Sequence, residues 1–549
     1  MIYSSSHDEL PIPQDQTLWS CLEQHARDAD VANKPAFICA LTAREVSFAQ
    51  LLEQAKHIAA GLHANGIKKG DVVILHSINC IEYALVFFAL NRLGAICSPS
   101  SPMFNAHELG VQIDLSQAKA VVTHKALAHV SLDAAKHCGI PEAQVYTMAD
   151  APAHEHELAL PSIEELIVAA RPFPALPPMD PKEVVFLPFS SGTTGLPKGV
   201  QITAKALMAS AVIYSYIDRP PRYTLGLLPF FHIMATMVIH SCMYKAKAIV
   251  VLPRFQPETF LGTIQKYKLE KALVAPPVML LLAQHPIVDE YDLSSLQELG
   301  CGGASLGVEI ESMVEKRLNL TVVQGYGMTE LAGAATFSQL GLKRPGSVGP
   351  LVPNVRMKVK CLTTGANLPP NERGELSFHV PSLMIGYLNN ASATSEAFDD
   401  DGFLHTGDVG YVDDDGFVFI VDRIKEMIKY KGHQVAPAEL EDVLNNHPSI
   451  ADSCCVRGLD AATGEEVPKA YIVLRPEAAA GGAPFVAEDV IAYVATKVAP
   501  YKKVRQVEVI DAIPKSVSGK ILRRQLQEQE NAKIRNRGVA TSSLAAHPA

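Results

Sequence analysis

Leu187-Pro188-Phe189-Ser190-Ser191-Gly192-Thr193-Thr194-Gly195-Leu196-Pro197-Lys198-Gly199 is the densest run of chemistry in the chain. Apolar Val184 to Leu187 leads into it as a strand, and the run then gathers hydroxyls, glycines and one lysine into a short loop. Glycines let backbone N–H groups converge on phosphate oxygens, hydroxyls add donors, and the lysine adds charge. The loop reads as a polyphosphate cradle rather than an ordinary Ser/Thr/Gly surface turn. It is not a Walker A loop, because Pro197 stands where a glycine should precede the lysine and Gly199 follows Lys198.

Upstream of the loop, short β-branched runs alternate with helical stretches. Val72-Val73-Ile74-Leu75 precedes Ile81 to Leu93, and Ala120-Val121-Val122-Thr123 precedes a further helix. Such alternation predicts an α/β fold with parallel sheets covered by helices. Arg171 to Pro178 is rich in proline and reads as a surface connection. Leu225 to Tyr244 carries no formal charge, but Pro229, His232 and His240 within it favour a buried strand and core helix over a membrane span.

Downstream of about Gly341 the strands shorten, with Pro369-Pro370-Asn371-Glu372 and Asp413-Asp414-Asp415-Gly416 as turns between them. An antiparallel, β-barrel-like subdomain is expected there. From Lys425 helices (Pro437 to His447, Ala487 to Val498) mix with strands (Ala470 to Leu474, Gln506 to Ile510), which predicts a small separate α+β domain. The expected division is a large N-terminal domain over 1–424, a small C-terminal domain over 425–527 and a flexible tail over 528–549.

Composition bounds the function. The chain has 549 residues, of which 48% are apolar and 19% charged, enough to build real cores in several folding units. Its net charge of -10, from 48 basic and 58 acidic side chains, and the lack of a basic run interleaved with aromatics argue against nucleic acid as a partner. The ten cysteines show no CxxC pair, so neither zinc nor a disulfide framework is signalled and they read as reduced core residues. The N-terminus lacks the pattern of a secretory signal, and a cytoplasmic protein with small-molecule partners, monomeric or a weak homodimer, is expected.

The loop resembles the signature of the adenylate-forming superfamily, which includes acyl-CoA synthetases, 4-coumarate:CoA ligases, beetle luciferases and peptide-synthetase adenylation domains. Further motifs along the chain carry the same resemblance. Gln324-Gly325-Tyr326-Gly327-Met328-Thr329-Glu330 is similar to the family segment that holds adenine and the acyl group. It is not a dinucleotide fingerprint, since Glu330 takes the place of the third glycine. The resemblance implies Tyr326 on adenine, Thr329 at the phosphate, and Glu330 with Thr194 at magnesium.

His405-Thr406-Gly407-Asp408 is similar to the motif whose aspartate binds both ribose hydroxyls, which a carboxylate can do by accepting two hydrogen bonds. Val421-Asp422-Arg423-Ile424-Lys425 looks like the hinge, with Arg423 on ribose and phosphate and Lys425 absorbing the rotation. Pro514-Lys515-Ser516-Val517-Ser518-Gly519-Lys520 looks like the mobile loop whose lysine closes on the substrate carboxylate and α-phosphate. Ser190, Ser191, Gly192, Thr193, Thr194, Gly195, Lys198, Gly303, Ala304, Gln324, Gly325, Tyr326, Gly327, Thr329, Asp408, Arg423 and Lys520 are thereby implied as ATP and AMP contacts. Lys520, His232, Lys198 and Thr193 are implied as catalytic. Lys429 and Gln434 match the face used in thioester formation, and Arg254, Lys431 and Gly432 match positions near coenzyme A.

The implied reaction is ATP-dependent formation of an acyl-AMP followed by transfer to coenzyme A, with magnesium as the metal. Pro229 to Ala235 resembles the segment whose histidine, here His232, borders the substrate carboxylate. The implied acyl pocket is lined by His232, Ile233, Met234, Met237, Gly302, Gly303, Gly325, Met328 and Gly333. Met234 stands where hydroxycinnamate-specific relatives usually carry tyrosine, so a medium-chain fatty acid or an unsubstituted arylpropenoic acid fits at least as well as a phenolic one. A different acceptor, as in a luciferase-like oxygenase, or an inactive nucleotide-binding homologue, remains an alternative at this stage.

Overall fold

The computed structural model describes residues 1–149, 159–190, 197–303, 306–339, 341–431, 433–460, 465–476, 486–516 and 519–544, with side chains to 534. Its largest sheet has at its centre the strand Val72–His76, flanked in parallel by Ile96–Ser100 and Ala120–His124. Val145–Met148 extends one side; Val184–Phe186, then antiparallel Lys198–Thr203, extend the other. Val72–His76 and Ala120–His124 are buried along their whole length, as β-branched runs of a sheet covered on both faces should be.

Two further sheets stand beside it. Tyr223–Gly226, Ala248–Val251 and Pro35–Cys39 run parallel in one; Lys271–Val274, Glu298–Cys301 and Thr321–Met328 run parallel in the other, closed by antiparallel Gly333–Phe337. The charge-free stretch divides as expected into the strand Tyr223–Gly226 and the buried helix Ile233–Tyr244. No helix among the described residues is long and apolar enough to cross a membrane.

The antiparallel subdomain is a five-stranded sheet in the order Tyr3–Ser4, Arg356–Lys360, Gly374–His379, Leu404–Val412, Val418–Arg423. The core of the large part reaches as far as Val418, whereas Ile428, Val435, Leu440, Leu444, Ile450, Ile472 and Val494 pack into a cluster of their own. These cores bracket Lys425. All ten cysteines are free, and eight of them are buried.

The expected tail boundary at 528 falls inside a helix, Arg523–Leu544. Glu530, 1% exposed, accepts a hydrogen bond from Tyr471 at 2.7 Å and pairs with the buried ammonium of Lys469. Gln, Glu and Arg have good helix propensity, and a buried lysine needs a partner carboxylate, so the ordered region extends past the composition change that marked the tail.

Candidate active site

The Gly-rich loop connects two arms of a hairpin: Phe189–Ser190 pairs antiparallel with the strand from Lys198, which puts Ser190 opposite Lys198 and Phe189 opposite Gly199. A Cβ on Gly199 would lie 3.1 Å from the Phe189 ring, so the residue after the lysine must be small. Ser191, Gly192, Thr193, Thr194 and Gly195 lie outside the described residues, as do Ala304 and Gly432. Lys198 holds its ammonium 4.9 Å from the Tyr387 ring centre.

Glu330 receives the other arm. It sits in a short turn just after the strand Thr321–Met328 and is 5% exposed. Its Oε1 accepts from Ser190 Oγ at 2.8 Å and from Tyr387 OH at 3.1 Å. The loop arm, the acidic turn and the strand Gly386–Tyr387 are thus tied together at one carboxylate oxygen. Among the described residues its second oxygen has no hydrogen-bond partner, which suits a hard cation held by one protein carboxylate and otherwise by phosphate and water.

The ribose motif lies one sheet away. Asp408, 6% exposed, receives the Tyr326 hydroxyl on Oδ2 and has Arg423 Nε 3.2 Å from Oδ1. Burial pushes the Asp408 carboxyl up, and Arg423 and the Tyr326 hydroxyl pull it back toward the ionised form. Tyr326 stacks on Phe378 with ring centres 5.7 Å apart, which fixes its plane. Thr406 Oγ1 accepts from Asp408 N at 3.0 Å and donates to Leu376 O at 2.7 Å, and Glu375 holds Gly407 N and His405, so the turn that presents Asp408 is braced on three sides.

Lys520 reaches this site from the small domain. Ser516 and Lys520 close a tight turn, with Gly519 at φ 81°. A Cβ at Gly519 would lie 3.1 Å from the Pro277 ring, so only glycine lets this turn dock there. The Lys520 side chain is open to solvent yet surrounded by protein atoms, as on the wall of a cleft. Its pKa is lowered by burial and by Arg423, against the attraction of Asp408 and Glu330. Residues far apart in sequence therefore share one electrostatic neighbourhood.

His232 belongs to the same neighbourhood. It caps the helix Ile233–Tyr244, its Nδ1 accepting from Met234 N at 3.3 Å, and burial together with the Lys520 charge lowers its pKa to about 4. The ring is neutral near pH 7 with its proton on Nε2.

The residues implied for an acyl pocket also lie close to one another. A Cβ at Gly302 would meet Met234 Sδ at 2.8 Å, and one at Gly333 would meet Ser210 Oγ at 2.6 Å and Met237 Sδ at 3.3 Å. A Cβ at Gly325 would meet Phe337 at 2.8 Å, and one at Gly327 would meet Gly333 O at 2.2 Å. Behind Met237 a narrow void is lined by Ser210, Ile213, Tyr214, Ile217, Ala334 and Ser382. Ile233 is buried, and Gly303 takes φ 86°.

Other predicted positions stand apart. Gln324 gives its amide to Glu311 at 2.7 Å, and Thr329 opens the turn that carries Glu330. Lys429 and Gln434 are cross-strand partners on the small domain's two-stranded ribbon, and they, Lys431 and Arg254 are exposed. Lys425 is exposed between the two cores.

Several residues that shape the site carry no motif. Asn79 donates to Leu227 O at 3.1 Å and Leu228 O at 3.0 Å, and accepts from Phe230 N at 2.8 Å, fixing the segment that leads to His232. Tyr387, Phe378 and Ser210 likewise come from elements whose sequence shows only packing.

Comparison with known proteins places the chain in a family. The family model "AMP-binding enzyme" matches residues 22–388, and "AMP-binding enzyme C-terminal domain" matches residues 439–520. A 4-coumarate-CoA ligase of Pinus taeda is 38% identical over 548 residues, covering 97% of this chain and 98% of that protein. 4-Coumarate-CoA ligase 2 of Oryza sativa subsp. japonica is 39% identical over 526 residues, 91% of this chain and 90% of its own. The solved anthranilate CoA ligase bound to anthranoyl-AMP shares the fold, with a TM-score of 0.85 at 24% identity over 95% of this chain and 98% of that one. The O-succinylbenzoate coenzyme A synthetase of Bacillus subtilis bound to AMP superposes with a TM-score of 0.80 at 26% identity, covering 93% and 98%. Fold, motif order and full-length likeness converge, and the chain belongs to the AMP-binding enzymes of the adenylate-forming superfamily, on its acyl-CoA synthetase and 4-coumarate-CoA ligase side.

Proposed function

We propose that the enzyme joins an apolar carboxylic acid, a medium- or long-chain fatty acid or an arylpropenoic acid, to coenzyme A at the expense of ATP, with the residues assigned below. The reaction has two steps at one site. The acid's carboxylate oxygen attacks the α-phosphorus of ATP, the bond to the β-phosphate oxygen breaks, and pyrophosphate leaves. The coenzyme A thiolate then attacks the acyl carbon of the mixed anhydride and AMP leaves.

The observation that carries this reading is the meeting of Lys520 with Asp408, Glu330, Arg423 and His232 across two domains. An ammonium in that position stabilises the charge that builds on the α-phosphate and the attacking carboxylate, which is electrostatic catalysis by a preplaced group. Lys198, Thr193 and the loop hydroxyls neutralise the leaving pyrophosphate, Asp408 takes the ribose diol, and Tyr326 lies along the adenine. Glu330 and Thr194 would hold magnesium, which supplies charge neutralisation at the phosphates. His232, neutral and donating from Nε2, orients the substrate carboxylate. Rotation of the small domain about Lys425 then withdraws Lys520 and presents Lys429, Gln434, Lys431 and Gly432 for the thiol, with Arg254 near the nucleotide of coenzyme A. A cytoplasmic monomer or weak homodimer accords with ten free thiols.

Supplying ATP, magnesium, coenzyme A and a panel of fatty and arylpropenoic acids should yield thioester, AMP and pyrophosphate. Lys520→Ala should cut acid-dependent pyrophosphate release by about a thousandfold, while thioester formation from supplied acyl-adenylate persists. Full adenylation by that variant would end the assignment.

A further inference from the structure

A side-chain hydrogen bond joins the large domain to the small one across the pivot, where Glu426 N and Met427 N also donate to Arg423 O. Asp422 closes the strand Val418–Arg423 of the antiparallel sheet and is 7% exposed. Its Oδ1 accepts from Arg423 N at 2.7 Å, and its Oδ2 accepts from Ala438 N at 2.9 Å. Ala438 lies in the first turn of the helix Pro437–Asn445, whose Leu440 and Leu444 are in the small-domain core. That helix has no side-chain cap of its own at Ala436, and Pro437 has no N–H to offer. Its N-terminal cap is therefore supplied by the other domain, where a carboxylate also complements the helix dipole.

The residues on either side of Lys425 also reach to different domains. Toward the large domain, Arg423 pairs with Asp408 and Ile424 N donates to Gly407 O at 2.9 Å. Toward the small domain, Glu426 accepts from Arg523 Nε at 2.8 Å, and Arg523 also donates to Glu441 at 3.0 Å and to Cys455 O at 2.7 Å. Arg523 thus welds the hinge exit, the helix Pro437–Asn445 and the base of the Lys520 loop into one body. Whatever holds that helix to the strand Val418–Arg423 holds Lys520 over the site. Asp442 Oδ1 packs beside Gly307 of the large domain, and burial, together with the like charge of Glu309, raises the Asp442 pKa. An attachment at Asp422 and a repulsion at Asp442 leave the docked arrangement able to release.

We propose that Asp422 is a positioning residue for adenylation: by capping the helix Pro437–Asn445 from the far side of the hinge, it holds the small domain in the arrangement that places Lys520. The proposal rests on the rotation about Lys425 given above.

Asp422→Ala should slow acid-dependent pyrophosphate release about tenfold and leave thioester formation from supplied acyl-adenylate and coenzyme A within about twofold. Asp422→Asn keeps an acceptor oxygen for Ala438 and should recover adenylation to within about threefold of the parent. Ala438→Pro removes the donor instead and copies the Pro276-Pro277 start of the helix Pro276–Gln284, so it gives the same split should Asp422→Ala fail to fold. Equal loss in both half-reactions, or intact adenylation in Asp422→Ala and Ala438→Pro alike, overturns the proposal. Lys425→Pro separates the two ideas. If it stalls thioester formation, the rotation stands and the Asp422 variants decide alone; if it leaves both half-reactions intact, the rotation fails and Asp422 loses its role with it.

Discussion

Ser190 Oγ donates to Glu330 Oε1 at 2.8 Å, which links the Gly-rich hairpin to the acidic turn at the end of the third sheet. The same oxygen also accepts from Tyr387. Neutralising this carboxylate removes charge where the proposed function puts the phosphates but leaves an oxygen for both hydroxyls. Glu330→Gln should therefore fold normally and lose adenylation by about a hundredfold, with a higher magnesium concentration needed for half-maximal rate. Thermal denaturation and a magnesium titration of pyrophosphate release check both halves of the claim.

Asn79 acts from outside every motif. Its carboxamide spans the Leu227 and Leu228 carbonyls and the Phe230 N–H, and Tyr83 adds a bond to Phe230 O at 3.1 Å. Asn79→Ala leaves these buried groups without partners and should cost about 1–3 kcal/mol of stability. Because that segment carries His232, KM for the acid should rise as well, which steady-state kinetics on the folded variant will read.

Much of the architecture could be read in advance because burial and local pattern coincide. Val72 to Leu75 is β-branched on both faces and Ile81 to Leu93 is apolar nearly all round, so strand and buried helix were plain. Ser190, Glu330, Tyr326, Asp408, Arg423, His232 and Lys520 were all named from motifs, and the fold gathers them. Asn79, Tyr387 and Ser210 were not, since each sits in a segment whose sequence reports only packing and acquires its neighbours through tertiary contact. The helix that runs on past 528 was hidden for a related reason. Composition changes near 528, but the ordered boundary is set by Glu530 answering a buried lysine in a strand far upstream.

That buried pair gives a direct test of the boundary. Deleting residues 528–549 removes Glu530 and leaves Lys469 buried opposite Glu508 alone. Losing one partner of a buried pair costs about 3–5 kcal/mol, so the truncated chain should show a separate, earlier unfolding transition for the small domain and a weakened adenylation step. A single unchanged transition by calorimetry would restore the tail to the flexible region.

His76 and His240 are buried in the large domain, and burial lowers their pKa to about 4 and about 3. In the unfolded chain both rings take up protons near pH 6.5, whereas the folded chain refuses them until far lower. Their contribution to stability is complete above pH 6.5 and is lost as pH falls through the window from 6.5 toward 4, at about 1.4 kcal/mol per unit for each ring. Urea midpoints measured across that window should fall with acidification. His240→Leu should flatten the slope by about one proton, because Phe87, 4.9 Å away, then packs against a side chain that does not titrate.

On the proposed reading, Gly333 limits the depth of the acyl pocket. A Cβ there would meet Ser210 Oγ at 2.6 Å and Met237 Sδ at 3.3 Å, and these two side chains form a neck that also borders the narrow void lined by Ile213, Tyr214 and Ile217. Methionine can swing aside on a flexible stem, but a serine on the helix Ala204–Asp218 is held by the backbone. Gly333→Ala should therefore shorten the accepted acid instead of abolishing the reaction. Long acids should lose about ten- to a hundredfold in kcat/KM, and short acids that stop before the neck should change by less than about threefold. Ser210→Ala in the same background gives the hydroxyl's space back and should return part of the long-acid activity. If Gly333→Ala lowers every acid equally, the neck lies outside the substrate's path and the acyl chain runs elsewhere.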